Sequence, residues 1–250
     1  MSLYLYAILQ AENLDLIKHL DLKGMNAQPV QFHAIPPFAI VYSESQQDRY
    51  LASRANLLAH ETVLEVLMKA IDPHKAVPLP LQFGLVVEDW EEVQNDLLIP
   101  YAEQLKGLIN NLISKREVSV KLFWNQTEEL NLAVAENDGL RQRREALIGK
   151  ILSMDEAIAI GQELEAAIEN RQQIIVDAFL NTLKPLSHEY VEGELMTENM
   201  IYNGSFLIDW DREPEFASAV ENLDKQFENR LRIRYNDFTA PYNFVKVDRD

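Results

Sequence analysis

His60 and Glu61 are adjacent in a stretch of helical character and open the His-Glu-x-x-His pattern, in which two imidazoles one turn apart hold zinc. The second imidazole position is Leu64, so the ligand set fails and the pair reads as helix surface. Asp209-Trp210-Asp211 sets two carboxylates on one side of a strand end, with Glu213 nearby. A hard cation needs more oxygen ligands than these, and Asp211 is expected instead to cap the helix that Pro214 opens. His188, Glu189, Glu192 and Glu194 lie within a few residues of one another and read as a solvated strand face rather than a metal site. His19, His33 and His74 are scattered, with no nucleophile beside them. The chain has no cysteine, which removes disulfides, thiolate zinc sites, iron–sulfur clusters and cysteine nucleophiles together. Its eight glycines form neither a GxGxxG nor a P-loop pattern. No catalytic residue, cofactor or metal is expected.

Two arginine groups remain. Arg141, Arg143 and Arg144 cluster on one predicted helix, and Arg230, Arg232 and Arg234 share one strand face. They read either as internal salt-bridge partners or as places that dock an acidic segment of a partner. Trp90, Trp124 and Trp210 each stand at the end of an element, where indoles serve packing.

The elements that position these residues follow from periodicity. Leu3 to Leu9 is apolar on both faces and predicts a central strand. Phe32 to Glu44 predicts two strand pieces broken at Pro36-Pro37. A helix is expected from about Asp48 to Ile71, buried along Leu51, Ala55, Leu58, Thr62 and Val66. The run VPLPLQFGLVV, Val77 to Val87, predicts a strand with Gly84 at a bulge, and a second helix follows from Trp90 with Pro100 as a kink. Glu117 to Trp124 alternates, with Val118, Val120, Leu122 and Trp124 inward and Glu117, Ser119 and Lys121 outward. Thr127 to Leu183 reads as helical, with Asp138-Gly139 separating a first helix from one over Leu140–Ile151, and Ser153 and Glu156 forming a capping box before a long third. Asn203-Gly204 predicts the turn of a hairpin between Tyr190–Met196 and Ser205–Trp210. A helix opened by Pro214 and an alternating strand over Arg230–Tyr235 close the pattern.

This order predicts an α+β protein: two α+β domains of ferredoxin-like character, antiparallel sheets with helices on one side, joined by a helical segment. Residues 1–125 form the first domain, 126–185 the helical segment and 186–250 the second domain packed with it. Composition agrees with a folded chain, at 47% hydrophobic and 25% charged residues. A net charge of -17 repels nucleic acid and anionic membrane surfaces. The opening MSLYLYAILQ lacks a basic flank and its apolar run stops at Gln10, so neither a signal peptide nor a membrane span is expected, and the protein is placed in the cytoplasm.

Three segments carry a resemblance. Leu3–Leu9 reads LYLYAIL, Leu79–Gly84 reads LPLQFG, and Pro241–Val245 reads PYNFV. In this order, and with the Glu117–Trp124 strand between them, they resemble the signature stretches of the gas vesicle protein F/L family; Ala240 ahead of Pro241 departs from its frequent glycine. The resemblance implies a non-enzymatic minor structural or accessory protein of the gas vesicle, acting with the small hydrophobic shell subunit (the major structural protein A) and other accessory proteins during nucleation and assembly. The competing class is a small-molecule binder or enzyme with a pocket between sheet and helices.

Overall fold

The computed structural model describes residues 2–147, 153–228 and 230–246. Strand β1, Ser2–Gln10, is buried from Leu3 through Leu9 on both faces, as a continuous apolar run requires. It pairs antiparallel with β3 (Phe38–Ser45), which pairs with β2 (Gln31–Ile35) across the Pro36-Pro37 corner. Before β2, the chain passes Gly24 at close quarters to Tyr6. The Met25 N–H donates to Tyr6 Oη at 2.7 Å, and that hydroxyl shares a hydrogen bond with Ser43 Oγ at 3.0 Å. A Cβ at Gly24 would sit 1.9 Å from Tyr6 Oη, and the Tyr6 ring is fully buried. Gly24→Ala is therefore expected to cost about 1–3 kcal/mol, read from the shift in urea midpoint; an unchanged midpoint would show that the ring moves freely.

Helix α1, Arg54–Ala70, starts at Ser53, whose Oγ accepts from the Asn56 N–H at 3.2 Å. It buries His60, Val63, Leu64, Leu67 and Met68. The expected stripe is the outer one: Leu51, Ala55, Leu58 and Thr62 are exposed. Because the second half of the helix is apolar nearly all round, both stripes have helical spacing. The inner one wins because the His60 ring is hydrogen-bonded inside and costs little to bury.

The VPLPLQFGLVV run forms two short strands rather than one. β4 (Leu79–Pro80) and β5 (Val86–Val87) both pair antiparallel with β1, and Leu81–Leu85 leaves the sheet between them. The sheet order is β2-β3-β1-β4, with β5 beside β4 on the same edge of β1. Asp89 then caps α2 (Trp90–Glu92), which continues as a π-turn over Val93–Leu98 before α3 (Ala102–Leu112). Trp90 stacks on His33 with centroids 4.0 Å apart.

β6 (Lys115–Phe123) buries Val118, Val120 and Leu122 as predicted, with Trp124 buried just beyond it. Glu117, expected outward, is 2% exposed, and its carboxylate accepts from Asn243 Nδ2 at 2.6 Å and from the Asn243 N–H at 3.2 Å. Helices α4 (Gln126–Glu136) and α5 (Asp138–Leu147) meet at Asn137, whose side chain accepts from the Gly139 and Leu140 N–H groups at 3.0 and 3.1 Å. The expected run of α5 to Ile151 ends outside the described residues. α6 (Met154–Leu183) carries the predicted capping box and buries Ile168, Ile175, Phe179 and Leu183.

β7 (Glu189–Glu192) and β8 (Met200–Asp209) follow, and Asn203-Gly204 lies inside β8, not at a turn. Gly204 is required there because Tyr202 Oη occupies the place of a Cβ, 2.1 Å away. α7 (Glu213–Gln226) begins at Pro214 as expected, but Asp211 does not cap it; Asp211 instead lies 3.4 Å from His74 Nε2. β9 (Arg232–Thr239) completes a second sheet of order β7-β8-β6-β9, and a 3-10 turn over Tyr242–Phe244 follows it. Two antiparallel sheets with helices make this an α+β fold.

By internal contacts the chain forms two units. One comprises Met1–Glu117, Leu207–Asp211 and Phe238–Asp250; the other comprises Val118–Phe206 and Arg212–Asp237. The boundaries expected after residues 125 and 185 do not coincide with this division. Contiguous blocks are what a linear reading yields, whereas β6, β8 and β9 each change unit part-way along. Among the described residues, no helix is long and apolar enough to cross a membrane.

Candidate functional site

The three signature segments converge in the first unit. β1 contributes Tyr4 and Tyr6, the excursion after β4 contributes Leu81 through Gly84, and the 3-10 turn contributes Tyr242. His60 joins them. It is 2% exposed, with Tyr6 stacked at 5.5 Å, Phe83 edge-on at 5.8 Å and Tyr242 stacked at 6.3 Å. The Gly84 N–H donates to Tyr4 Oη at 3.0 Å, possible because Gly84 sits at φ +87. Tyr4 Oη lies 2.9 Å from His60 Nδ1, and His60 Nε2 lies 3.2 Å from the Leu81 carbonyl. A carbonyl only accepts, so Nε2 carries the proton and Tyr4 donates to Nδ1.

That chain of donors is satisfied only by a neutral imidazole. Burial pulls the His60 pKa down to about 4, against a smaller opposing effect of the Leu81 carbonyl. Burial likewise pushes the Tyr4 and Tyr242 phenols well above their usual range, so both stay protonated. Both nitrogens of His60 are engaged, so the ring acts as a structural hub and not a proton carrier. The reading of His60-Glu61 as plain helix surface is thus corrected. The available signal was the series His60, Val63, Leu64, Leu67 and Met68, an unbroken helical stripe with a histidine at its head.

Over this hub opens a groove of about 710 Å3, lined by Leu57, Leu58, His60, Phe83 and Tyr242, with Arg54, Glu61 and Gln82 at its margin. Leu57 and Leu58 are 43% and 62% exposed. Tyr242 Oη donates to Glu61 Oε2 at 3.4 Å. Burial raises the Glu61 pKa, partly offset by the Ala240 backbone and Tyr242. The lining is mainly apolar, with Arg54, Glu61 and Gln82 as its marginal polar groups, a composition that suits binding of an apolar surface.

The arginine groups are placed in the second unit. Arg141 pairs with Asp138 at 2.5 Å and Arg143 with Glu163, while Arg144 makes no ion pair among the described residues. Arg143 and Arg144 line a 220 Å3 pocket with Leu130, Val134, Leu140 and Leu164. Arg230 reaches the buried Glu129 at 2.5 Å, and Arg171 binds the same carboxylate at 2.5 Å. Arg232 and Arg234 lie over the Phe123 ring, 4.5 and 5.2 Å from its centroid. Three of the six charges are therefore met internally by carboxylates. Among the described residues no group of three or more His, Cys, Asp or Glu could hold a metal.

Residues 2–246 match the family model described as "Gas vesicle synthesis protein GvpL/GvpF". The chain belongs to the GvpL/GvpF family. It is 46% identical to gas vesicle protein F of Dolichospermum flosaquae, across 99% of each chain. It is 22% identical to gas vesicle protein F1 of Halobacterium salinarum, covering 98% of this chain and 93% of that one. A crystal structure of GvpF from an Anabaena species superposes with a TM-score of 0.88, at 44% identity and 99% of both chains. One from Microcystis aeruginosa gives 0.82 at 44% identity, over 98% of this chain and 99% of that one. GvpL/GvpF membership gives the chain an accessory role in gas vesicles.

Proposed function

We propose that this protein is a non-enzymatic accessory factor that binds the small hydrophobic shell subunit while the gas vesicle is nucleated and assembled in the cytoplasm, and keeps that subunit from aggregating. The observation that carries this reading is the open, mainly apolar groove lined by α1 and by two of the three signature segments, through Gln82, Phe83 and Tyr242. A net charge of -17 supports it, since a strongly charged chain holds an apolar partner in solution. Of the six arginines expected to dock a partner, Arg144, Arg232 and Arg234 keep charges that no carboxylate meets in an ion pair among the described residues, and they serve here as a secondary contact.

Co-purification with the co-expressed shell subunit at low and high salt tests this. Retention at both is expected, because apolar burial is not screened. Loss at high salt alone would shift the contact to the arginines. No retention in either buffer would overturn the proposal.

A further inference from the structure

The groove's margin describes what would fill it. Arg54 and Glu61 lie on the same face of α1, seven residues or about 10 Å apart, with Leu57 and Leu58 between them. Among the described residues no carboxylate pairs with Arg54, and no cation pairs with Glu61, whose partly buried carboxylate is met by the Tyr242 hydroxyl and the Ala240 backbone. An occupant with an apolar face, a cation at one end and an anion at the other would match this order of charge. Its backbone form is also constrained. The sheet edge beside the groove consists of β4 and β5, two residues each, with Pro78 before the first and Pro80 within it. Prolines and the Leu81–Leu85 excursion remove the ladder donors that an added strand would need, so a helix suits the groove.

We propose that this groove receives one amphipathic helix of the shell subunit, laying two turns of apolar side chains over Leu57, Leu58 and Phe83, with a lysine or arginine reaching Glu61 and an aspartate or glutamate reaching Arg54. This rests on the reading that the shell subunit is the partner, and the test separates the two.

The full chain is co-expressed with the shell subunit, with the photo-cross-linking residue benzoylphenylalanine placed either at Gln82, on the groove margin, or at Met154, exposed at the start of α6. In parallel, Arg54→Glu alters an exposed residue that has no ion pair to lose among the described residues. The expected result is cross-linking from position 82, and not from 154, to a helical segment of the shell subunit that carries both charges. Arg54→Glu is expected to lower the retained shell subunit about tenfold, the effect of a charge contact worth ~1.4 kcal/mol. If the shell subunit co-purifies but position 82 cross-links to a second copy of this chain or to nothing, or Arg54→Glu leaves retention unchanged, the groove assignment is overturned while the partner stands. If the shell subunit does not co-purify at all, both fall.

Discussion

Glu129→Gln is expected to lower the unfolding free energy of the second unit by about 3–5 kcal/mol, the range seen when one partner of a buried ion pair is removed. Glu129 is 2% exposed and accepts from Arg171 Nε and Arg230 Nη1, both at 2.5 Å. Taking its charge away leaves two guanidinium groups facing a neutral amide. Arg171 retains Glu136, which accepts from Nη1 at 2.6 Å, but that carboxylate is 62% exposed and screened by water. Glu136→Gln should accordingly cost under about 1 kcal/mol. Denaturation followed by Trp124 fluorescence, with Trp90 and Trp210 replaced by phenylalanine, reads this unit alone. Equal costs for the two substitutions would show that burial of Glu129 does not set the energy. Glu129→Leu combined with Arg171→Met and Arg230→Met should recover most of the loss, because a packed apolar trio needs no compensating charge.

The second large effect is a dependence of the first unit on pH. His60 has a folded pKa of about 4 against an ordinary value of 6.5. The folded state therefore binds fewer protons than the unfolded state between these values, and stability rises with pH across that window. The contribution is complete above about pH 6.5, is lost as pH falls toward 4, and totals about 3 kcal/mol. Below pH 4 the imidazolium deprives Tyr4 of its acceptor and must itself be desolvated. Glu61 works in the opposite sense: its pKa is raised on folding, so its contribution is present at low pH and lost as pH rises through the folded value. Asp72, held low by its hydrogen bond from the His74 N–H, loses its contribution only as pH falls further. Urea midpoints between pH 4 and 7 for the wild type and His60→Gln provide the check. The substitution should flatten the slope, and equal slopes in the two proteins would remove His60 as its source.

What the sequence discloses about this fold divides by whether the deciding contact is local. β1, the capping box at Ser153 and the helix opened by Pro214 rest on neighbouring residues, and all are where the sequence places them. Asn203-Gly204 has the composition of a turn, yet its glycine answers to the Tyr202 ring within a strand. Glu117 alternates correctly as an outward residue, yet it is buried and hydrogen-bonded to Asn243, 126 positions later. The site shows the same split. Its three signature segments stand out by composition, but the hub that joins them is His60, whose partners Tyr4 and Leu81 are 56 and 21 residues away. The α1 stripe fails for the same reason: which of two apolar faces turns inward depends on tyrosines in another strand.

The first unit also has an order of manufacture. Its sheet is complete once residue 87 is made, yet Ala240 belongs to its core, Tyr242 and Phe238 pack against that core, and Asn243 satisfies Glu117. A nascent chain thus carries an unfinished first unit through synthesis of some 150 further residues, with the His60 hub uncovered on one side until the Phe238–Phe244 stretch emerges. Long-range closure of this kind delays folding. Messages that stop short of codon 238 would yield a second unit with most of its parts and a first unit lacking its seal, so the groove would be the last surface of the molecule to come into being.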